Sequence, residues 1–502
     1  MLSGIRDAPE RGVKADAVPA FISNMSLGLL RQNTSQRCDN ILSGSITKTL
    51  LMLSLPTLMM GVVQCAIPLI DGLFINNIAG TNAAGAITYC TPIIGMVVGL
   101  AQGLGSAGMA VIGQTNGKGQ LDEGRRISTQ LIVFTSVLGV ALAPVLFLLA
   151  FPLSSFVNLQ ISGGVFTYLA LNALIIPFSF LESIYNAIKN ASGNPEATFI
   201  RMVILLILKV MFNTLFIAVL HWGVVGAAMA SLASNMLITI WMYFELFVKK
   251  SPEQLSLKGF KPDKAVIRTL VRVGLPTMLS NLMIYIGFYL INNEVEKYGP
   301  IVLTGQGIAN SITNVCFTLP AAFGSAVTTM VSMNVGACQS ERARKTCWIG
   351  SLWSAMTAAA LIAIIVPLSG SLTILFTREA AVLEVANRSL HIYTYSVVGF
   401  GVCMTQIGAF IGLGRTHVSL VMGVLRIWLL RYLFVLVTEP ALGVYSVFWG
   451  NLFSNYVSAI ITIVLILRVK WVSAIDDGSG MMAPIRHWLE QKWAVLHDRS
   501  AS

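Results

Sequence analysis

Asp71 stands inside the apolar run 47–78, which is long enough to cross a bilayer. A carboxylate at membrane depth costs about 2.5–3.5 kcal/mol on insertion scales. An acid kept there exchanges a proton, attracts a cation, or pairs with a base inside the fold. Gln64 lies seven residues earlier, so two helical turns bring it to the same face. Pro56 and Pro68 interrupt this run. Each removes an N–H donor and bends a helix, so the segment can relax as its acid gains or loses a proton; prolines that only shape packing are the competing reading. Further on, Lys209 and Asn213 are four residues apart and share a face that Ile217 continues. Lys209 either pairs with Asp71 or snorkels its amine toward the cytoplasmic end, and snorkelling is the expected geometry. Tyr285, Phe288, Tyr289 and Asn292 form an amphipathic aromatic face, suited to bulky apolar or cationic ligands or simply to packing.

The elements that must position these groups follow from composition. The chain has 502 residues, 55% of them hydrophobic and 11% charged. Soluble domains carry roughly 25% charged residues, so this chain is read as an integral membrane protein. Apolar windows of about 20 residues predict twelve spans, at 48–77, 84–113, 127–152, 161–189, 197–220, 223–248, 265–296, 301–333, 346–369, 381–412, 416–437 and 442–467. Segments this apolar must be helical, because an unpaired backbone finds no partner in lipid. The net charge of +11 is a matter of topology: 26 of the 33 Lys and Arg fall on one side, seven of them between Lys249 and Arg272. The opposite loops hold Lys297 and Arg378 alone. By the positive-inside rule both termini are cytoplasmic, which argues against nucleic acid and leaves the lipid bilayer as the partner of the basic face.

The chain also repeats itself. Leu55-Pro56-Thr57 matches Leu275-Pro276-Thr277, Gly117 matches Gly336, Gly193 matches Gly414, Gly223 matches Gly443, and Leu232 with Ser234-Asn235 matches Leu452 with Ser454-Asn455, all at offsets near 220. Six spans per copy give the repeats one orientation, an arrangement found in transporters that hold substrate near mid-membrane between the halves. The expected organisation is a cytoplasmic segment 1–46, a first lobe 47–248, a linker 249–264, a second lobe 265–470 and a tail 471–502, in which 484–496 has the pattern of an interfacial helix. No signal peptide is expected in the polar first 47 residues.

Other features carry less. Glu182, Arg426 and Arg431 are further intramembrane charges, and Glu384 with Arg388 has the spacing of a local ion pair. Gly95, Gly99 and Gly103 make a smooth stripe for close helix packing. Gly103, Gly105 and Gly108 formally match a dinucleotide fingerprint, but inside a membrane helix without a preceding strand. Seven scattered cysteines show neither disulfide nor metal spacing. No phosphate-binding loop is present, so transport would be passive or driven by an ion gradient. Of five histidines only His497, in the tail, adjoins an acid (Asp498); no cluster of His, Asp or Glu marks a membrane face, which argues against an embedded transferase.

Taken together, the first span, with Pro56, Gln64, Asp71, Ile75 and Ala79-Gly80, resembles that of the multidrug and toxic compound extrusion (MATE) transporters of prokaryotes. Ile112-Gly-Gln114-Thr-Asn-Gly117-Lys-Gly119 before Arg125-Arg126, its copy Asn334-Val-Gly336-Ala337 before Arg344, Gly193-Asn-Pro195, and Gly226 to Ser231 are similar to the family's other motifs. The resemblance covers about 45–470. It implies an all-α membrane fold, two six-helix lobes in a V, and export of drug-like cationic or amphipathic small molecules by antiport, with no cofactor beyond a coupling ion. Matched residue by residue, Asp71 looks like the coupling acid, Gln64 a cavity glutamine, Asn213 the fifth-span asparagine and Ser231 the sixth-span hydroxyl. With Lys209, Tyr285, Tyr289 and Asn292, these are the expected cavity residues. The chain departs from the family at Ile217 and Ile284, where other members place acids, so protons are expected ahead of sodium.

The expected protein is therefore a monomeric, non-enzymatic exporter of the cytoplasmic membrane. A flippase for a lipid-linked precursor is the alternative that Lys209, Arg426 and Arg431 keep open. Cysteines introduced at 249–264 should react with an impermeant thiol label from the cytoplasmic side only; labelling from outside would invert the topology.

Overall fold

The computed structural model describes residues 34–75, 78, 81–155, 159–249 and 254–475. The interfacial-helix expectation at 484–496 lies outside them. Among the described residues there is no strand, and ten helices are long and apolar enough to cross a membrane. Two bent helix pairs complete the twelve expected spans. The first three spans are Ile46–Phe74, Thr81–Gly117 and Leu121–Ser155. The fourth is the pair Leu159–Ala173 and Ile176–Ala191, the fifth runs from Pro195 and the sixth from Gly223. In the second lobe, Lys264–Glu296, Pro300–Gly336 and Ser340–Ile374 are the seventh to ninth spans. The tenth is the pair Ala380–Tyr395 and Val397–Gly412, the eleventh starts at Thr416, and the twelfth is Tyr445–Arg468.

The duplication is written into the backbone. The fourth and tenth spans break at matching places, bending by 49° and 42°. Gly193 and Gly414 take φ of 70° and 79°, and Gly223 and Gly443 take 54° and 55°, left-handed values that glycine adopts without cost. The turns after the second and eighth spans close through the same bonds. Gln120 N donates to Thr115 O at 3.2 Å, and Gln339 N to Asn334 O at 2.7 Å. Where the first copy has Gly119 at positive φ, the second has Cys338, with φ of 59°. A side chain there is strained by about 1 kcal/mol or more.

The lobes meet along small residues. The seventh span lies on the Gly95–Gly99–Gly103 stripe. The Tyr285 ring covers Gly95 and Gly99, Asn281 Nδ2 donates to Gly99 O at 2.9 Å, and Thr277 Oγ1 to Gly103 O at 2.7 Å. At the end that holds Thr34–Ser43 and Ser473, the second and eighth spans approach so closely that a Cβ on Gly117 would strike the Met333 carbonyl. One on Gly336 would strike the Gln114 carbonyl. Gln114 Nε2 also donates to Gly412 O at 2.7 Å and accepts from Ser473 Oγ at 2.7 Å. A preceding helix, Thr34–Ser43, spans the same end: Arg37 binds Gly193 O and Glu196 at 3.1 Å each, while Arg342 donates to Ile41 O. This end of the molecule is shut. The local pairing expected of Glu384 and Arg388 is not formed; Arg388 donates to Tyr445 Oη at 3.2 Å and covers its ring, because an aromatic partner on the twelfth span lies within reach.

Closure depends on the bare backbone at Gly336. Ser332→Cys, in a background lacking Cys65 and Cys338, should be shielded from maleimide, and adding Gly336→Val should raise its labelling several-fold. Unchanged labelling would show that the two spans do not form the seal.

Candidate functional site

Asp71 is positioned by a helix that its own prolines weaken. Pro68 cannot donate an N–H, so the Gln64 carbonyl one turn earlier loses its helical partner. The helix nevertheless continues through both prolines to Phe74. On the fifth span, Lys209 and Asn213 project together toward it: Asn213 Nδ2 donates to Asp71 Oδ1 at 2.7 Å, and Lys209 Nζ binds Oδ2. The expected snorkelling of Lys209 is thus corrected. Its ammonium turns inward, because a carboxylate within reach compensates a buried amine better than a long stretch toward the surface. Immediately after Asn213 the span rewinds into a wider π-turn, Thr214–Val219, with Leu220 N bonded to Leu215 O at 3.0 Å. Such rewinding is common at functional sites and shifts the facing side chains. Ile217, fully buried, packs with Ile75 and Ala227. Hydrocarbon therefore fills the position where the family resemblance implies a second acid.

Beside this triad lies a cavity of about 570 Å³ within the first lobe, which Asn213, buried behind Asp71, does not line. Gln64, Asp71, Lys209 and Ser231 line it, as do Glu182 and Arg201. The sequence marked Glu182 as an intramembrane charge without joining it to Arg201. They pair at 2.9 Å between the fourth and fifth spans, and Arg201 Nε donates to Asn186 Oδ1 at 3.2 Å. Opposite intramembrane charges on consecutive spans were the available signal. Each acid of this cavity therefore carries its own base, and removing one partner of such a buried pair costs about 3–5 kcal/mol.

A second cavity, of about 390 Å³, lies between the lobes. It adjoins the first, since Gln64, Gln102, Asn186 and Met202 line both. Met60 and Gln64 of the first span face Ile284, Met404 and Arg426 of the second lobe across it. Tyr285, Tyr289 and Asn292 line neither cavity. On the aromatic face of the seventh span, Tyr285 seats on the glycine stripe and Phe288 lies against Arg431, while Tyr289 and Asn292, farther along, are exposed. All seven cysteines are free. Among the described residues no three His, Cys, Asp or Glu converge on a metal-sized site.

The comparisons agree with this architecture. The sequence profile of the MatE family matches twice, over residues 56–215 and 276–437, starting at the same offset at which the chain matches itself. The chain is similar to the probable multidrug resistance protein YoeA of Bacillus subtilis, at 21% identity over 71% of this chain and 79% of that protein. It is also similar to the multidrug export protein MepA of Staphylococcus haemolyticus, at 22% identity over 87% and 96%. A crystal structure of MATE in complex with MaL6 superposes with a TM-score of 0.82 at 22% identity, covering 87% of this chain and 99% of the other. With two profile matches spanning both lobes and a fold in common, this chain belongs to the multidrug and toxic compound extrusion (MATE) family of membrane transporters.

Proposed function

We propose that the protein exports amphipathic organic compounds from the cytoplasm across the cell membrane in exchange for protons, with Asp71 as the proton carrier. The observation that carries this reading is the tie from Asp71 to Lys209 and Asn213, made by the same helix whose Met60 and Gln64 wall the inter-lobe cavity. In the ionised state, Asp71 clamps the first span to the fifth. A proton on the carboxylate cancels its attraction for Lys209 and adds one positive charge to the cavity. The first span is then free to bend at Pro56 and Pro68, carrying Met60 and Gln64 with it. Proton and substrate thereby favour different shapes of one cavity, which is the coupling that antiport requires. Hydrocarbon at Ile217 and Ile284 supports protons over sodium as the coupling ion, since sodium needs several oxygen ligands in place. The protein is read as a monomer that needs no cofactor, with both termini cytoplasmic; the clustering of Lys and Arg on that side supports the orientation.

A lipid-linked precursor flippase is the second reading, favoured by the buried arginines of the eleventh span. It ranks lower. Such a cavity would present several free cations to a pyrophosphate, whereas Lys209 and Arg201 are each committed to an acid.

The test is dye efflux from proteoliposomes under an imposed proton or sodium gradient. Only the proton gradient should drive efflux, and Asp71→Asn should reduce it at least tenfold while the protein still inserts and binds dye. Efflux that persists in this variant with unchanged pH dependence would make Asp71 structural. Lys209→Met should keep efflux but change how it depends on the imposed proton gradient, because the substitution removes the cation that binds the Asp71 carboxylate. A gradient dependence identical to the parent's would mean that Lys209 has no electrostatic part in coupling.

A further inference from the structure

The eleventh span carries two arginines deep in the second lobe, Arg426 and Arg431, each 6% exposed. Among the described residues neither forms an ion pair. Arg431 is enclosed by the rings of Phe288 and Tyr393, at 5.8 and 6.0 Å, and lies outside the lining of the inter-lobe cavity. Arg426 differs. One of its donors, Nη1, reaches Asn455 Oδ1 at 3.3 Å, its guanidinium lies 5.1 Å from the centre of the Phe400 ring, and its Nε is buried without a partner. Arg426 also lines the inter-lobe cavity, where among the described residues it is the one charged group in the wall. The other polar lining groups are amides and hydroxyls such as Gln64, Gln102, Asn281 and Ser325.

A buried guanidinium without a counter-charge is costly, and an unused donor adds to the cost. Its planar fork of N–H groups matches an oxyanion held through two parallel bonds. The duplication does not account for it, because Leu205 stands at the corresponding place of the first lobe. Nor does either cavity offer a free carboxylate to a cationic compound, since Asp71 and Glu182 are held by Lys209 and Arg201.

We propose that Arg426 recognises an oxyanion on the transported compound, a carboxylate, sulfonate or phosphate, so that the inter-lobe cavity takes zwitterionic and anionic amphiphiles in preference to simple cations. The inference rests on the reading of this cavity as the substrate site. It narrows the expectation of cationic substrates to those that also bear an acid. The amides facing Arg426 across the cavity leave room for the uncharged or cationic remainder of such a molecule.

Two dyes of nearly one shape separate the possibilities: rhodamine B, a zwitterion with a free carboxylate, and its ethyl ester, a cation. The purified full-length protein should bind the acid about tenfold more tightly than the ester, the value of one charge-assisted pair. Arg426→Gln should abolish that preference while binding the cationic ester at least as tightly as the parent, since a repelling charge is removed, which also shows that the variant is folded. Arg426→Lys should retain part of the preference. A parent protein without preference for the acid overturns the proposal whatever the variants do, and so does full preference surviving in Arg426→Gln. Nanodiscs containing phosphatidic acid distinguish the source of the oxyanion. Arg426-dependent displacement of rhodamine B assigns the pairing to a lipid headgroup, and retained rhodamine B assigns it to a free compound. Binding is measured without a gradient, so loss of proton coupling at Asp71 and loss of acid recognition at Arg426 are read separately.

Discussion

The first lobe is organised around the contact between Asp71 and the pair Lys209 and Asn213. An acid and an amine inside a bilayer protein are each unfavourable alone. Together, with Asn213 occupying the second carboxylate oxygen, they form a set whose electrostatic balance changes when one proton is added. The consequences run along the first span, because Pro56 and Pro68 have already removed hydrogen bonds that would stiffen it. They run along the fifth as well, since the π-turn starts right after Asn213. The helix pair is thus strongest at its charges and weakest in its backbone, as the proposed proton-driven joint requires.

The inter-lobe surface shows the complementary constraint. Helices in lipid gain little from burying apolar side chains against one another, so they associate through close backbone approach and hydrogen bonds. The Gly95–Gly103 stripe under the seventh span, and Gly117 and Gly336 between the second and eighth, provide that approach. Contacts of this kind have few adjustable parts. They close fully or separate, which is the behaviour needed of lobes that open alternately to the two sides of a membrane.

Duplication supplied two similar lobes, and substitution then made them chemically different. Asp71 corresponds to Ile291, Gln64 to Ile284, and Arg426 to Leu205. The first lobe holds its ions in matched pairs, while the second holds arginines without acids. The cavity where they meet has one wall of amides and thioethers and another bearing a guanidinium. In the proposed exchange, proton chemistry and substrate recognition are thereby assigned to opposite lobes.

The sequence alone determined the membrane class, the twelve spans, the two copies and the face shared by Gln64 and Asp71. Each follows from local composition or from helical spacing, which need no knowledge of neighbours. It also marked Asp71 and Lys209 as charges out of place, but not that they meet, and spacing favoured the opposite fate for Lys209. The partnership of Glu182 with Arg201, the seating of Tyr285 on the glycine stripe and the exposure of Arg426 to the inter-lobe cavity were likewise decided by the tertiary structure. A helix presents a face by its period, but what that face touches depends on how the spans pack, and packing is set by pairs of surfaces far apart in the chain.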